Sequence, residues 1–205
     1  MIEHSVQYAE GVDFDMTTNW KLKAEPEELT AIVLDPELME LWCSNVFLKA
    51  NLIERGSPDG LGMKLRLHAK GWLPFSFHFL AEITELVRHK SMVITLTGDF
   101  EGVGLSRVET IGNGYCISEL RWVVNVNQPH IRPLIRLLKP IGKLNHDWAV
   151  RRVCMQLQKE VDRRRAGSKH FQNAKATFPH NLAFFWRGWR RINLDQSEPG
   201  SKNER

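Results

Sequence analysis

Two periodicities divide this chain. From about Val46 to Val126 apolar and polar residues alternate. Met63, Leu65 and Leu67 are interleaved with Lys64, Arg66 and His68, and Phe77, Phe79, Ala81 and Ile83 with Ser76, His78, Glu82 and Thr84. Ile94 and Leu96 alternate with Thr95 and Thr97, and Leu120, Trp122 and Val124 with Glu119, Arg121 and Asn125. A strand sends successive side chains to opposite faces, so this region predicts strands with one apolar and one wet face. The gaps between runs are short and rich in turn formers: Gly56 to Gly60, Arg88-His89-Lys90, Gly98 to Gly104 and Gly112-Asn113-Gly114. Consecutive antiparallel hairpins are the simplest connection.

Upstream, residues 12–23 alternate weakly and predict a first strand. Pro26-Glu27-Glu28 and then Asp35-Pro36-Glu37 each place proline and carboxylates where a helix begins, since the positive end of the helix dipole favours them. Leu29, Ile32 and Val33, then Leu38, Leu41 and Trp42, supply short apolar stripes, so two short helices follow the first strand. After Pro129 the period lengthens. Leu134, Leu137, Leu138, Ile141, Leu144, Trp148, Met155, Leu157 and Val161 recur at helical spacing and are expected to cover the sheet. Pro140 marks either a kink or the first turn of the main helix. From Pro140 to Arg165 that helix would be about 39 Å long, enough to cross a sheet. The expected fold is α+β: a helix-grip fold, a curved antiparallel sheet of six to seven strands over a long C-terminal helix, with two short helices after the first strand. Its parts are an arm over 1–11, the domain over 12–165 and an extension over 166–205.

The extension changes the picture. Leu182, Phe185, Trp186, Trp189 and Ile192 share one helical face, with Arg187, Arg190 and Arg191 mostly off it. This is a docking element that either packs on its own domain or meets an anionic membrane. Charge follows the same division. Of 28 Lys and Arg and 24 Asp and Glu, 11 and 18 lie in residues 1–130, while 17 and 6 lie in residues 131–205. The basic third fits phosphates, an anionic membrane, or the solvent face of a long helix.

No apolar run approaches the roughly 18 residues of a spanning helix, and the first residues lack a secretory pattern. Cys43, Cys116 and Cys154 form neither a zinc spacing nor a disulfide framework, which points to a cytoplasmic setting, with peripheral membrane contact through the extension as the alternative. Eight histidines show no metal-binding spacing, and there is no phosphate loop or nucleophile elbow. No metal, cofactor or nucleic-acid partner is expected.

Candidate chemistry is sparse. Trp122 and Trp148 are expected to face one another across the gap between sheet and helix, with Leu65, Phe79 and Leu96 nearby, as a ligand wall or as plain core. Asn145 and His146 lie on the covering helix. Adjacent helical positions are not both expected to face inward. Whichever does could orient a ligand carbonyl, and His146 is the candidate acid–base. Asp99 and Glu101 could act as a carboxylate pair, but alternation puts them on the wet side. Cys43 is a loop thiol or a small buried side chain.

Gly71-Trp72-Leu73-Pro74-Phe75 before a strand, Gly98-Asp99-Phe100-Glu101-Gly102 in a hairpin, and Asn145-His146-Asp147-Trp148 in the last helix resemble the START-like (SRPBCC) superfamily. That group includes polyketide cyclase/dehydrase and lipid-transport proteins, and the resemblance covers roughly residues 12–165. Val150, Val153 and Cys154 depart from the branch pattern, which often has Met and Gly there. Coenzyme Q-binding relatives also have a Trp-Cys pair where Trp42-Cys43 stands. The resemblance implies a cavity between sheet and helix that holds an apolar small molecule: a lipid, quinone or polyketide-like compound. Three functions follow: a binding or carrier protein, a cyclase/dehydratase using His146, or a peripheral membrane or scaffold protein using the extension.

Overall fold

The computed structural model describes residues 12–129 and 132–171. Seven strands form one antiparallel sheet in the order β1-β7-β6-β5-β4-β3-β2. They are β1 (Phe14–Leu22), β2 (Phe47–Glu54), β3 (Lys64–Lys70), β4 (Ser76–Val87), β5 (Ser91–Gly98), β6 (Phe100–Gly112) and β7 (Tyr115–Val126). From β2 onward each strand pairs with the next, as the short turn-rich gaps predict, and β1 closes the far edge against β7.

Both early helix signals hold. Helix α1 (Pro26–Val33) starts with a capping box in which the Glu25 N–H donates to Glu28 Oε2 at 2.8 Å. A 3₁₀ turn (Pro36–Leu38) then leads into α2 (Met39–Trp42). A short α3 (Arg132–Leu137) precedes α4 (Lys139–Arg165), and Pro140 falls in the first turn of α4, where its missing N–H is harmless.

The face that α4 buries differs from the predicted stripe. Positions 144, 148 and 155 lie within about 40° of one another around a helix, and Leu144 and Met155 are exposed while Trp148 is half-buried. Leu157 and Val161 of the predicted stripe are buried, but the rest of the buried face lies opposite: Asn145, Gln156 and Glu160, with Ala149 and Val153 half-buried beside them. Leu134, Leu137 and Leu138 are exposed as well, because α3 is a separate element set against the start of α4. The cover is therefore partly polar.

Polar bonds fasten the C-terminal half of α4. The Gln158 amide accepts from the Lys23 N–H at 2.8 Å and donates to the Lys23 carbonyl at 3.2 Å. Arg164 donates to Asp35 at 2.8 Å, and Arg165 grips Glu28 at 2.6 and 2.7 Å. Buried Glu160 accepts from Arg163 and Arg164 at 2.6–2.8 Å. Under this end the core is dense, with Leu22, Ile32, Leu157 and Val161 fully buried.

Candidate functional site

Toward the N-terminal half of α4 several inner-face residues are only half-buried. Register places Met16, Trp122, Gly104 and Ile94 in one row across β1, β7, β6 and β5, and Trp122 and Ile94 are half-buried. The Trp122 ring lies against Gly104, where an added Cβ would come 2.9 Å from the indole, so Gly104 makes room for it. Trp122 ends an aromatic chain. Phe75 meets Phe77 at 5.4 Å, Phe77 stacks on Phe100 at 4.4 Å, and Phe100 and Phe79 reach Trp122 at 6.2 and 6.5 Å.

The ring that meets Trp122 from the helix is His146, at 6.3 Å. Positions 146 and 148 are about 200° apart around a helix, so Trp148 cannot share that direction. It instead sits beneath two cations, Lys70 Nζ at 5.7 Å and the Arg152 guanidinium at 5.4 Å from its centroid. The expected tryptophan pair is thus replaced by Trp122–His146. Leu65, Phe79 and Leu96 are fully buried core residues on the same inner face.

Asn145 and His146 both have protein neighbours, contrary to the single inward position expected, because Asn145 meets the connection between β3 and β4 while His146 meets Trp122 on the sheet. Asn145 Oδ1 accepts from the Leu73 N–H at 3.0 Å. Gly71 permits this approach, since a Cβ there would lie 2.1 Å from Asn145 Oδ1. Two of the three sequence motifs therefore interlock. The third has a structural task too: Asp99 Oδ2 accepts from the His78 N–H at 2.6 Å and from Gln128 Nε2 at 2.7 Å, while exposed Glu101 accepts from Asn127. Cys43 is fully buried, and burial pushes its thiol up to about 12.

His146 is largely buried, and its Nδ1 lacks a hydrogen-bond partner; Asp147 Oδ1 stands 3.7 Å away, beyond hydrogen-bonding distance. Burial pushes the imidazole below the usual histidine range, with Asp147 opposing. Two further polar atoms on the inner face are buried without partners, Thr18 Oγ1 and Trp20 Nε1. Both belong to β1, on which α4 packs, and both alternate in register with buried Met16 and Leu22. The sequence reading missed them because β1 alternates only weakly. It also missed Lys70, only 2% exposed, whose ammonium is pushed down to about 8 by burial, with the Arg152 charge adding to it. The strict alternation of Leu65 and Leu67 assigns position 70 to solvent, but the strand ends there and the chain turns under α4.

A separate cavity of about 270 Å3 opens at the other end of α4, between Trp42, Gln156, Lys159, Glu160, Arg163 and Phe171. Trp42, of the Trp42-Cys43 pair, lines it and its Nε1 is also buried without a partner, while the Glu160–Arg163 pair there is mutually satisfied. Among the described residues no cluster of His, Cys, Asp or Glu could hold a metal ion, and no helix is long and apolar enough to cross a membrane. Phe185, Trp186, Arg187, Trp189, Arg190 and Arg191 lie outside the described residues.

No protein-family model and no curated protein matches the sequence. Solved structures do match the fold. A START superfamily protein from Mycobacterium smegmatis is 18% identical, with a TM-score of 0.59 over 73% of this chain and 97% of its own. The Zhui aromatase/cyclase from Streptomyces sp. R1128 is 12% identical, with a TM-score of 0.58 over 76% and 98%. A protein from Thermus thermophilus is 16% identical, with a TM-score of 0.57 over 72% and 97%. The seven-stranded sheet, the two short helices after its first strand and the long C-terminal helix are the START-like helix-grip fold.

Proposed function

We propose that this protein binds an apolar small molecule carrying at least one oxygen acceptor, between the inner face of the sheet and the N-terminal half of α4. The observation that carries this reading is the set of buried, unpartnered polar atoms Thr18 Oγ1 and Trp20 Nε1 on the inner face of β1 and His146 Nδ1 on the helix that covers it. Buried polar groups are nearly always hydrogen-bonded, and leaving one unmatched costs roughly 1–3 kcal/mol. Three such atoms, His146 facing Trp122 and Thr18 and Trp20 next along the face of β1 that carries Met16, suit a bound molecule that supplies the partners. An indole N–H only donates, so the ligand must offer a carbonyl, ether or hydroxyl oxygen. A quinone, an oxygenated lipid or a polyketide-like compound meets both demands, and the similarity to a START superfamily protein and an aromatase/cyclase supports this ligand class.

Native mass spectrometry of freshly purified protein tests this directly. A co-purifying apolar, oxygen-bearing compound lost on Trp20→Phe is the expected result. Retention unchanged by Thr18→Val, Trp20→Phe and Trp122→Ala would remove the site from consideration.

A second reading rests on His146. A buried neutral imidazole with a vacant nitrogen can take or give a proton, as a cyclase or dehydratase requires. Under that reading His146→Gln abolishes turnover of the identified ligand while leaving its affinity within about twofold, because a general base acts on the transition state. Unchanged turnover would exclude His146.

A further inference from the structure

The apolar residues that α4 does not bury form a second feature. Leu134, Leu137, Leu138, Leu144 and Met155 are 49%, 80%, 37%, 60% and 51% exposed. Isolated exposed leucines are ordinary, but four within eleven residues of one helical corner are not. Exposed cations flank them: Lys139 and Lys143 among the leucines, and Arg151 one turn before Met155. The arginines nearer the C-terminus are otherwise engaged, Arg163 and Arg164 with Glu160, Arg164 also with Asp35, and Arg165 with Glu28. The chain carries no acidic residue between Glu119 and Asp147; Asp13 approaches Arg132 at 3.6 Å, and Asp147 and Asp162 follow only further along α4.

We propose that the α3–α4 corner docks on an anionic phospholipid membrane. The charge pattern chooses this occupant. An apolar corner edged by Lys139 and Lys143, with no acidic residue between Glu119 and Asp147, matches a layer whose interior takes leucine side chains and whose headgroups are negative. A protein partner or a second copy would need its own acidic rim, and a second copy of this surface would set cations against cations. Pro140 and the bonds from the Leu138 N–H to the Leu134 carbonyl and from the Ile141 N–H to the Leu138 carbonyl, both at 2.9 Å, hold the corner in shape. Asn145 and His146 follow at once, so the corner adjoins the Trp122–His146 contact between sheet and helix. Docking there would bring the proposed ligand site to the membrane, although the docking itself does not depend on any ligand. It also differs from insertion of the aromatic extension, which involves other residues.

The test is flotation of the full-length chain with vesicles of phosphatidylcholine alone and of phosphatidylcholine with about a third phosphatidylserine. Binding to the anionic vesicles, weakened by high salt, is expected. Leu137→Asp with Leu144→Asp should weaken partitioning at least about tenfold, since each places a charge where an apolar group would insert. Both side chains are exposed, so the melting temperature should not change. Lys139→Glu with Lys143→Glu should weaken binding to the anionic vesicles. The proposal is overturned if the leucine variants float like the parent, if neutral vesicles bind equally well, or if no vesicle binds. It is also overturned if only Trp186→Ser with Trp189→Ser abolishes binding, or if the leucine variants merely turn a dimer into a monomer.

Discussion

Replacing Thr18 by Val separates a ligand-facing hydroxyl from a structural one, because the two roles give opposite signs. Val keeps the branched shape and the strand preference of Thr, so packing and register on β1 are retained. It removes only Oγ1, which is buried on the inner face and has no partner. In ligand-free protein the wild-type hydroxyl is desolvated without compensation, a cost of about 1–3 kcal/mol that Val does not incur. Ligand-free Thr18→Val should therefore be more stable by roughly 1 kcal/mol, raising the melting temperature by about 2–4 °C for a chain of this size. In the complex the same change removes a hydrogen bond worth about 0.5–1.5 kcal/mol, so affinity should fall about two- to tenfold. Urea denaturation of ligand-stripped protein gives the first number, and titration with the compound identified by mass spectrometry gives the second. Destabilisation by 1 kcal/mol or more in ligand-free protein would mean that the hydroxyl serves the fold, and would refute the argument.

Three further outcomes follow from the geometry. Gly71→Ala should cost about 1–3 kcal/mol by driving Asn145 off the Leu73 N–H, and much less in an Asn145→Ala background; additive losses in urea melts would disprove the coupling. Lys70 binds its proton less tightly folded than unfolded, so stability should rise as pH climbs from about 8 toward 10.5, and Lys70→Met should flatten that rise in melts at a pH series. Burial pushes the Glu160 carboxyl up, but bonds from Arg163 and Arg164 outweigh this and hold it below 4.5, so its stabilisation is complete above that pH and is lost as pH falls further. Glu160→Gln should remove this acid-side loss and cost about 2–3 kcal/mol at neutral pH, measurable by urea denaturation.

The sheet was legible because alternation is a local signal, and β3, β4 and β7 carry it without interruption. The helix starts were legible because Pro26 and Pro36 with their carboxylates mark them. The orientation of α4 was not legible. Leu144, Trp148 and Met155 make an apolar line by spacing alone, yet the helix is turned to bury Asn145, Gln156 and Glu160. What decides this is a set of long-range partners, Leu73, Lys23, Asp35 and Glu28, that no window of sequence contains. The site suffered for the same reason. His146 was found by residue type, but its approach to Trp122 depends on how α4 rolls. Thr18 and Trp20 matter only because a helix more than a hundred residues away covers them.

The place of β1 at the far edge of the sheet also fixes an order of assembly. Asp13 and Asn125, joined by a 3.0 Å bond, stand 112 positions apart. The hairpins from β2 to β7 can zip in the order they are synthesised, each closing a short loop. The first strand cannot: among the described residues its partner is the last strand made, and its cover is the helix made after that. Closure of this long loop belongs late in folding, which suits a slow, high-contact-order chain and leaves the polar residues of β1 in water until α4 arrives.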